Sequence, residues 1–120
     1  MQEKKVCLVI GAGAGIGVNV AKKFAISGYH AVISRRTNQE GLDNSVKDIE
    51  KAGGNATGFL LNAIEENSIE NLIEKVEETI GSIHVVVFNL GSQIGNRSLN
   101  ETSEKVFERG WRMATLALFR

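Results

Sequence analysis

The chain has 120 residues, and its 14 Lys plus Arg balance 14 Asp plus Glu, so the formal net charge is zero. This length predicts one domain over residues 1–120, and a hydrophobic fraction of 42% is enough for a buried core, which argues against a disordered or fibrous protein. The chain has no excess of basic residues, which nucleic-acid binders typically have, so nucleic acid is not an expected partner.

The number of cysteines and the length of the apolar runs exclude further classes of protein. Cys7 is the only cysteine, so no intrachain disulfide can form, and it has no zinc-ligand spacing with the 2 histidines. We therefore expect no metal site and a reducing, cytoplasmic location. The longest apolar runs, at 7–10 and 85–88, are far shorter than the roughly 20 residues of a membrane-spanning helix, so no membrane association is expected.

The first half of the chain alternates strand and helix patterns. A short run rich in β-branched residues at 6–10 predicts a buried strand, and the apolar spacing at 16–27 predicts a helix that stops at Gly28. Residues 31–34 predict a second strand, and 40–52 predict a second helix that ends before two glycines.

The second half repeats this alternation. Residues 56–61 predict a third strand, and Asn67 followed three residues later by Glu70 resembles a capping box that opens a third helix. Residues 85–89 predict a fourth strand, and a last helix begins near residue 102 and continues to the end of the sequence. Four strands alternating with helices over short connections predict the α/β class, as a doubly wound parallel sheet of Rossmann type.

A glycine-rich turn lies between the first strand and the first helix. Glycines at this position let the backbone turn tightly and approach a pyrophosphate held at the helix N-terminus. The spacing fits G-x-x-x-G-x-G rather than the usual G-x-G-x-x-G. The alternative interpretation is a turn whose glycines serve only close packing. The candidate nucleotide-binding residues are Gly11, Gly13, Gly15, Ile16 and Gly17.

Two arginines follow the second strand, where an acidic residue commonly binds the ribose of NAD. Arg35 and Arg36 stand in a segment with no carboxylate between Gly28 and Gln39. Guanidinium groups form bidentate bonds to phosphate, so this pair favours NADP(H) over NAD(H) as the cofactor. It also counts against a methyltransferase, which usually has a carboxylate there. The alternative is a solvated pair of charges at a strand end.

On these residues the chain resembles the short-chain dehydrogenase/reductase family over its whole length. The family pattern G-x-x-x-G-I-G matches the glycine turn, and Asn89-Leu90-Gly91 matches part of its Asn-Ala-Gly motif. The resemblance implies that Asn89 and Gly91 steady the central strand beside the adenosine ribose and the nicotinamide. It also implies that Asn62 and Ala63 lie at the adenine pocket, where the family usually has Asp at the first of these two positions.

The resemblance implies an oxidoreductase that transfers hydride between nicotinamide and a small-molecule carbonyl or alcohol substrate. Family members use a Tyr-x-x-x-Lys element, but the only tyrosine here, Tyr29, is followed four residues later by Ile33. Ala114 occupies the position of a catalytic Asn. We therefore expect no catalytic residue in this chain, which corresponds to the N-terminal, cofactor-binding part of a longer fold with an incomplete sheet and is expected to be inactive alone. In the family the last helix often contributes to a homo-oligomer.

Two other interpretations remain open at this point. Ala114 and the missing Tyr-x-x-x-Lys are also compatible with a non-catalytic nucleotide-binding or regulatory module, which would bind cofactor without consuming it. A truncated gene product with exposed apolar surface is a third possibility, and it would lose cooperative unfolding.

Overall fold

The computed structural model describes residues 4–13, 15–90 and 96–120. The strands are β1 (Lys5–Ile10), β2 (His30–Arg35), β3 (Asn55–Leu60) and β4 (Ser82–Phe88). The helices are α1 (Ile16–Ile26), α2 (Gln39–Lys51), α3 (Ser68–Thr79), α4 (Glu104–Trp111) and α5 (Ala117–Phe119). A 3₁₀ turn at Leu99–Glu101 precedes α4, and a π-helical turn at Arg112–Leu116 joins α4 to α5. Each predicted element is present, with boundaries that differ by a few residues.

The four strands form one parallel sheet in the order β3-β2-β1-β4. From β1 the chain therefore moves to β2 and β3 on one side and returns to β4 on the other. This reversal of strand order next to β1 is the position at which ligands bind in open α/β sheets, beyond the carboxyl ends of the strands. The predicted parallel sheet is confirmed.

Alternating side chains of β1 enter two separate hydrophobic cores. Val6 and Leu8 pack on the face that carries α3, together with Leu72 and Val76. Cys7 and its neighbours on the opposite face pack against α1 and α2. Because both faces of β1 are fully buried, helices cover the sheet on both sides, as the predicted doubly wound fold requires.

The strand β4 lies at the edge of this sheet, and one side of it is only partly covered. Val86 is 54% exposed, and the register between β1 and β4 shifts between Val6 and Cys7, which leaves His84 without a counterpart on β1. The extra residue of such a bulge is directed out of the regular ladder, and His84 is exposed.

The predicted capping box at Asn67 and Glu70 is wrong. Asn67 has φ 64 and ψ 2, far from the extended conformation of a capping-box residue, and its side chain makes no capping bond. The hydroxyl of Ser68 instead donates to the carbonyl oxygen of Asn62 over 2.8 Å. A capping box does form at Ser98, which has the extended ψ of 162 and opens the 3₁₀ turn.

Among the helices of the described ranges, none is long and apolar enough to cross a membrane.

Candidate functional site

An open cleft of about 290 Å³ lies at the carboxyl ends of the strands, beside the reversal of strand order. Every strand contributes to its wall, through its last residue or the residues just after it. Six of the predicted site residues line this cleft: Gly11, Gly13, Arg35, Arg36, Ala63 and Asn89. The structure therefore brings residues from the glycine turn, the end of β2 and the end of β4 to one place.

Gly11 begins the turn after β1 and lies against the backbone that follows β4. It has φ +93, and a Cβ at this position would be 2.7 Å from the carbonyl oxygen of Asn89. The amide of Asn89 donates through Nδ2 to the carbonyl oxygen of Gly11 over 3.0 Å, and its backbone N–H donates to Ile10. Only glycine fits this combination of positive φ and close backbone approach.

Gly17, in the first turn of α1, lies close to the backbone of the glycine turn and to the side chain of Asn89. A Cβ there would lie 2.6 Å from the carbonyl oxygen of Gly11 and 3.1 Å from Nδ2 of Asn89. The start of α1 can therefore pack onto the turn only because this position has no side chain. For Gly11 and Gly17, close packing is a sufficient explanation.

Gly13 and Gly15 differ from these two glycines. A Cβ at either position would meet no heavy atom of the described residues within 4 Å. Gly13 lines the cleft, and Gly15 is the exposed N-cap of α1, where no side chain caps the helix. Packing of the described residues therefore leaves space open beside Gly13 and Gly15, at the start of α1, where an anion at a helix N-terminus would lie. Ile16 begins α1 and is 72% exposed.

Ser34, which the sequence analysis did not select, connects β2 to the glycine turn. Its carbonyl oxygen accepts hydrogen bonds from the N–H of Gly11 over 3.2 Å and of Ala12 over 2.7 Å. Its buried hydroxyl donates to the carbonyl oxygen of Val9 over 3.1 Å. Ser34 therefore fixes the turn relative to β2 and lines the cleft. A serine at the end of an apolar strand was the only sequence signal for this role.

Arg35 and Arg36 border the cleft where β2 ends, and the exposed Thr37 continues the same wall. Arg35 is half-buried and Arg36 is exposed. Within the described part of the chain neither arginine forms a salt bridge, since the ion pair found there joins Arg112 to Glu108. Two guanidinium groups without a carboxylate partner in these ranges give this end of the cleft a positive charge.

The segment after β3 forms another part of the wall. Leu61 and Ala63 line the cleft, while Asn62 lies between them. The Oδ1 of Asn62 accepts the N–H of Ile64 over 3.3 Å, and its carbonyl oxygen accepts the N–H of Glu65 over 3.1 Å. Asn62 thus shapes the turn that carries Ala63, and its contact with adenine stays a prediction. Ile10, Thr37, Leu61 and Leu90 are lining residues that the sequence analysis missed.

The remaining predicted positions lie away from the cleft or outside the described residues. Gly91 falls outside the described residues. Ala114 is exposed in the π-helical turn between α4 and α5. Tyr29 packs edge-on against Phe24, with ring centroids 5.2 Å apart, and Ile33 is buried in the sheet.

The two groups with shifted pKa values also lie away from the cleft. Burial raises the pKa of the Cys7 thiol to about 11. Burial, aided by the charge of Lys4, lowers the pKa of His30, which stands at the amino end of β2. Its Nε2 is 2.8 Å from Oγ1 of Thr57, while Nδ1 is buried with no partner among the described residues. Within those residues there is also no cluster of metal-binding side chains.

Comparison with known proteins identifies the family. A model of the short chain dehydrogenase family matches residues 5–120. The chain is 38% identical over 89 residues to 3-oxoacyl-(acyl-carrier-protein) reductase of Thermotoga maritima, covering 74% of this chain and 36% of that protein. A short-chain dehydrogenase from Rhodopseudomonas palustris superposes with a TM-score of 0.87 at 36% identity, covering 96% of this chain and 53% of that one.

A variant of actinorhodin polyketide ketoreductase, solved with NADPH, has a TM-score of 0.88 at 28% identity, covering 98% of this chain and 44% of that one. The chain spans about a third of the length of the curated relatives it matches. The glycine turn, the order of the strands and the family-model match over residues 5–120 all indicate the same family. The chain belongs to the short chain dehydrogenase family.

Proposed function

We propose that this chain forms the cofactor-binding part of an NADP(H)-dependent oxidoreductase that transfers hydride between nicotinamide and a small-molecule carbonyl or alcohol substrate. The observation that carries the proposal is the pair Arg35 and Arg36, which have no carboxylate partner among the described residues and stand in the wall of the cleft that the glycine turn also lines. The same cleft would hold a dinucleotide, with its pyrophosphate at the start of α1.

Open space at Gly13 and Gly15 supports a bound pyrophosphate. A turn that served packing alone would have neighbours at each glycine, but these two have none among the described residues. Exposed amides at the N-terminus of α1 would donate to phosphate oxygens there, and no carboxylate in the first turn of α1 opposes an anion. In this proposal Gly11, Gly17 and Asn89 fix the turn, while Ile16, Asn62, Ala63 and Gly91 complete the cofactor site.

The preference for NADP(H) rests on charge at the end of β2. The 2′-phosphate that distinguishes NADP from NAD would lie near the ribose site, where both arginines line the cleft. Each charge-assisted hydrogen bond to phosphate contributes about 1.5–3 kcal/mol, which corresponds to roughly tenfold or more in affinity per bond. The ketoreductase solved with NADPH is a related precedent.

When bound, the nicotinamide supplies or accepts hydride. The described residues would bind and orient the cofactor, but with no Tyr-x-x-x-Lys and with Ala114 in the usual Asn position, none of the 120 residues is assigned as the proton donor. A cytoplasmic location fits the buried, free Cys7. Exposed apolar side chains on α4, Phe107 at 66% and Trp111 at 46%, support a homo-oligomer through this surface.

The test compares cofactor affinities of the wild type and the R35A/R36A variant, by fluorescence titration with NADPH and NADH. We expect the NADPH dissociation constant to rise by about tenfold or more for each hydrogen bond to the 2′-phosphate that the variant removes, and the NADH constant to change by less than about twofold. The K47A/K51A variant removes two charges from α2 outside the cleft lining and should leave both constants unchanged.

Equal weakening of both cofactors in R35A/R36A would refute the NADP(H) preference. Wild-type protein that binds neither cofactor would refute the dinucleotide site. Turnover of the full-length gene product with NADPH and a series of carbonyl compounds then separates the two function classes, because a pure binding module consumes no cofactor with any of them.

A further inference from the structure

Gly41 lies in the first turn of α2, outside the predicted cofactor site. Glycine inside a helix is unfavourable because it loses more backbone freedom on folding than alanine. Gly41 does not have a positive φ, so backbone conformation does not explain this residue. Its surroundings do explain it, because two polar side chains occupy the place where a Cβ would stand.

A Cβ on Gly41 would be 2.7 Å from Nη1 of Arg35 and 2.7 Å from Nδ2 of Asn38. The side chain of Asn38 is already held, since its Oδ1 accepts the N–H of Gly41 over 2.9 Å as the cap of α2. The guanidinium of Arg35 is the mobile end of a long side chain, and it has no salt bridge in the described part of the chain. A side chain at position 41 would therefore displace Arg35 first.

We propose that Gly41 is a specificity-determining positioning residue, which lets the guanidinium of Arg35 lie over the first turn of α2 beside the cleft. This inference rests on the proposed NADP(H) function. A guanidinium binds phosphate through a planar, two-pronged geometry, so a small displacement removes one of its bonds. Gly41 then acts on the 2′-phosphate through Arg35 and has no influence on ligands that lack this phosphate.

The alternative is that Gly41 serves only the helix cap at Asn38. Removal of the cap would lower the stability of the fold, and it would affect adenosine ligands with and without a 2′-phosphate alike. Selectivity between such ligands therefore separates the two roles, and stability measured in the same variants shows whether the fold is intact.

The experiment measures binding of adenosine 2′,5′-bisphosphate and adenosine 5′-monophosphate by calorimetry to wild type, G41A, R35A and R35A/G41A, in the full-length protein. We expect G41A to weaken the bisphosphate by about tenfold, no more than R35A does, and to leave the monophosphate within about twofold. In the R35A background, G41A should weaken bisphosphate binding by less than a further factor of about two, because its effect passes through Arg35. N44A, at an exposed position of α2 outside the cleft lining, controls for helix propensity.

Any one of four results would overturn the proposal. Unchanged bisphosphate affinity in G41A, with R35A still weakened, overturns the role of Gly41 and leaves the proposed function standing. Equal weakening of both ligands, or full additivity in R35A/G41A, shows a general distortion instead. Wild type that fails to bind the bisphosphate overturns the cofactor assignment and this inference together. Urea unfolding midpoints of the wild type and the four variants verify that each protein is folded.

Discussion

Replacing Gly11 with alanine should destabilise the fold, whereas the same change at Gly13 should not. The two glycines are two residues apart in one turn, but only Gly11 has positive φ and a backbone neighbour at its Cβ position. In G11A the methyl group would stand 2.7 Å from the carbonyl oxygen of Asn89. That atom belongs to a backbone held by β4, so it cannot move aside as a flexible side chain would.

Two costs set the size of the effect. A left-handed backbone conformation on a residue with a Cβ costs about 1–3 kcal/mol, and forcing an extra methyl group into a packed site costs about 1–3 kcal/mol. We therefore expect G11A to lower the free energy of unfolding by about 2–6 kcal/mol, a large part of the roughly 5–15 kcal/mol of a typical domain. G13A should change this free energy by less than about 0.5 kcal/mol.

Urea unfolding followed by circular dichroism checks both variants. With a slope of about 2 kcal/mol per molar urea, in the middle of the usual range, this loss should lower the midpoint of G11A by about 1–3 M. G13A should unfold like the wild type and yet bind NADPH at least about tenfold more weakly, because its new methyl group would project into the cleft. If G11A and G13A had the same midpoint, the steric explanation of this turn would be refuted.

Two further predictions concern the groups with shifted pKa values. Because burial lowers the pKa of His30 below its usual 6.5, the unfolded chain takes up a proton that the folded chain resists, so the free energy of unfolding should fall as pH decreases from 6.5 toward the lowered value. Urea unfolding at about pH 7.5 and about pH 5.5 should therefore show a smaller decrease for H30Q than for wild type, and identical decreases would contradict this assignment. Because burial raises the pKa of Cys7 to about 11, iodoacetamide should not label the folded protein at neutral pH and should label it as urea unfolds it. Fast labelling in native buffer would show that β1 is more accessible than its burial indicates.

The elements of the fold were predictable because their signals are local. The short apolar runs of β1 and β2, the stop at Gly28 and the apolar spacing of α2 each depend on residues within about four positions of one another. The capping box at Asn67 failed because a two-residue pattern does not determine the backbone conformation of its first member, which here has φ 64. The order of the strands along the chain, together with the right-handed connections usual between parallel strands, then predicts how the strands are arranged in the sheet.

The residues of the candidate site were easier to predict from the sequence than the contacts between them. Resemblance to a family selected Asn89, but the sequence does not reveal that its amide bonds to Gly11, 78 positions earlier. Ser34 was missed for the same reason, since its hydroxyl reaches Val9 across the sheet. Contacts of this kind depend on strand register, which no short pattern in the sequence encodes.

The packing interpretation accounts for two of the four glycines of the turn, and the other two support the nucleotide proposal. Gly11 and Gly17 are required by neighbours less than 3 Å from a Cβ, and they would be required with no ligand bound. Gly13 and Gly15 have no such neighbour among the described residues, so packing against those residues gives no reason for their lack of a side chain. Gly11 and Gly17 hold the turn against Asn89, while Gly13 and Gly15 have no neighbour at the Cβ position among the described residues. If the proposed dinucleotide binds here, the contacts of Gly11 and Gly17 hold the turn in place before the ligand arrives, and the ordering cost of binding falls mainly on the ligand.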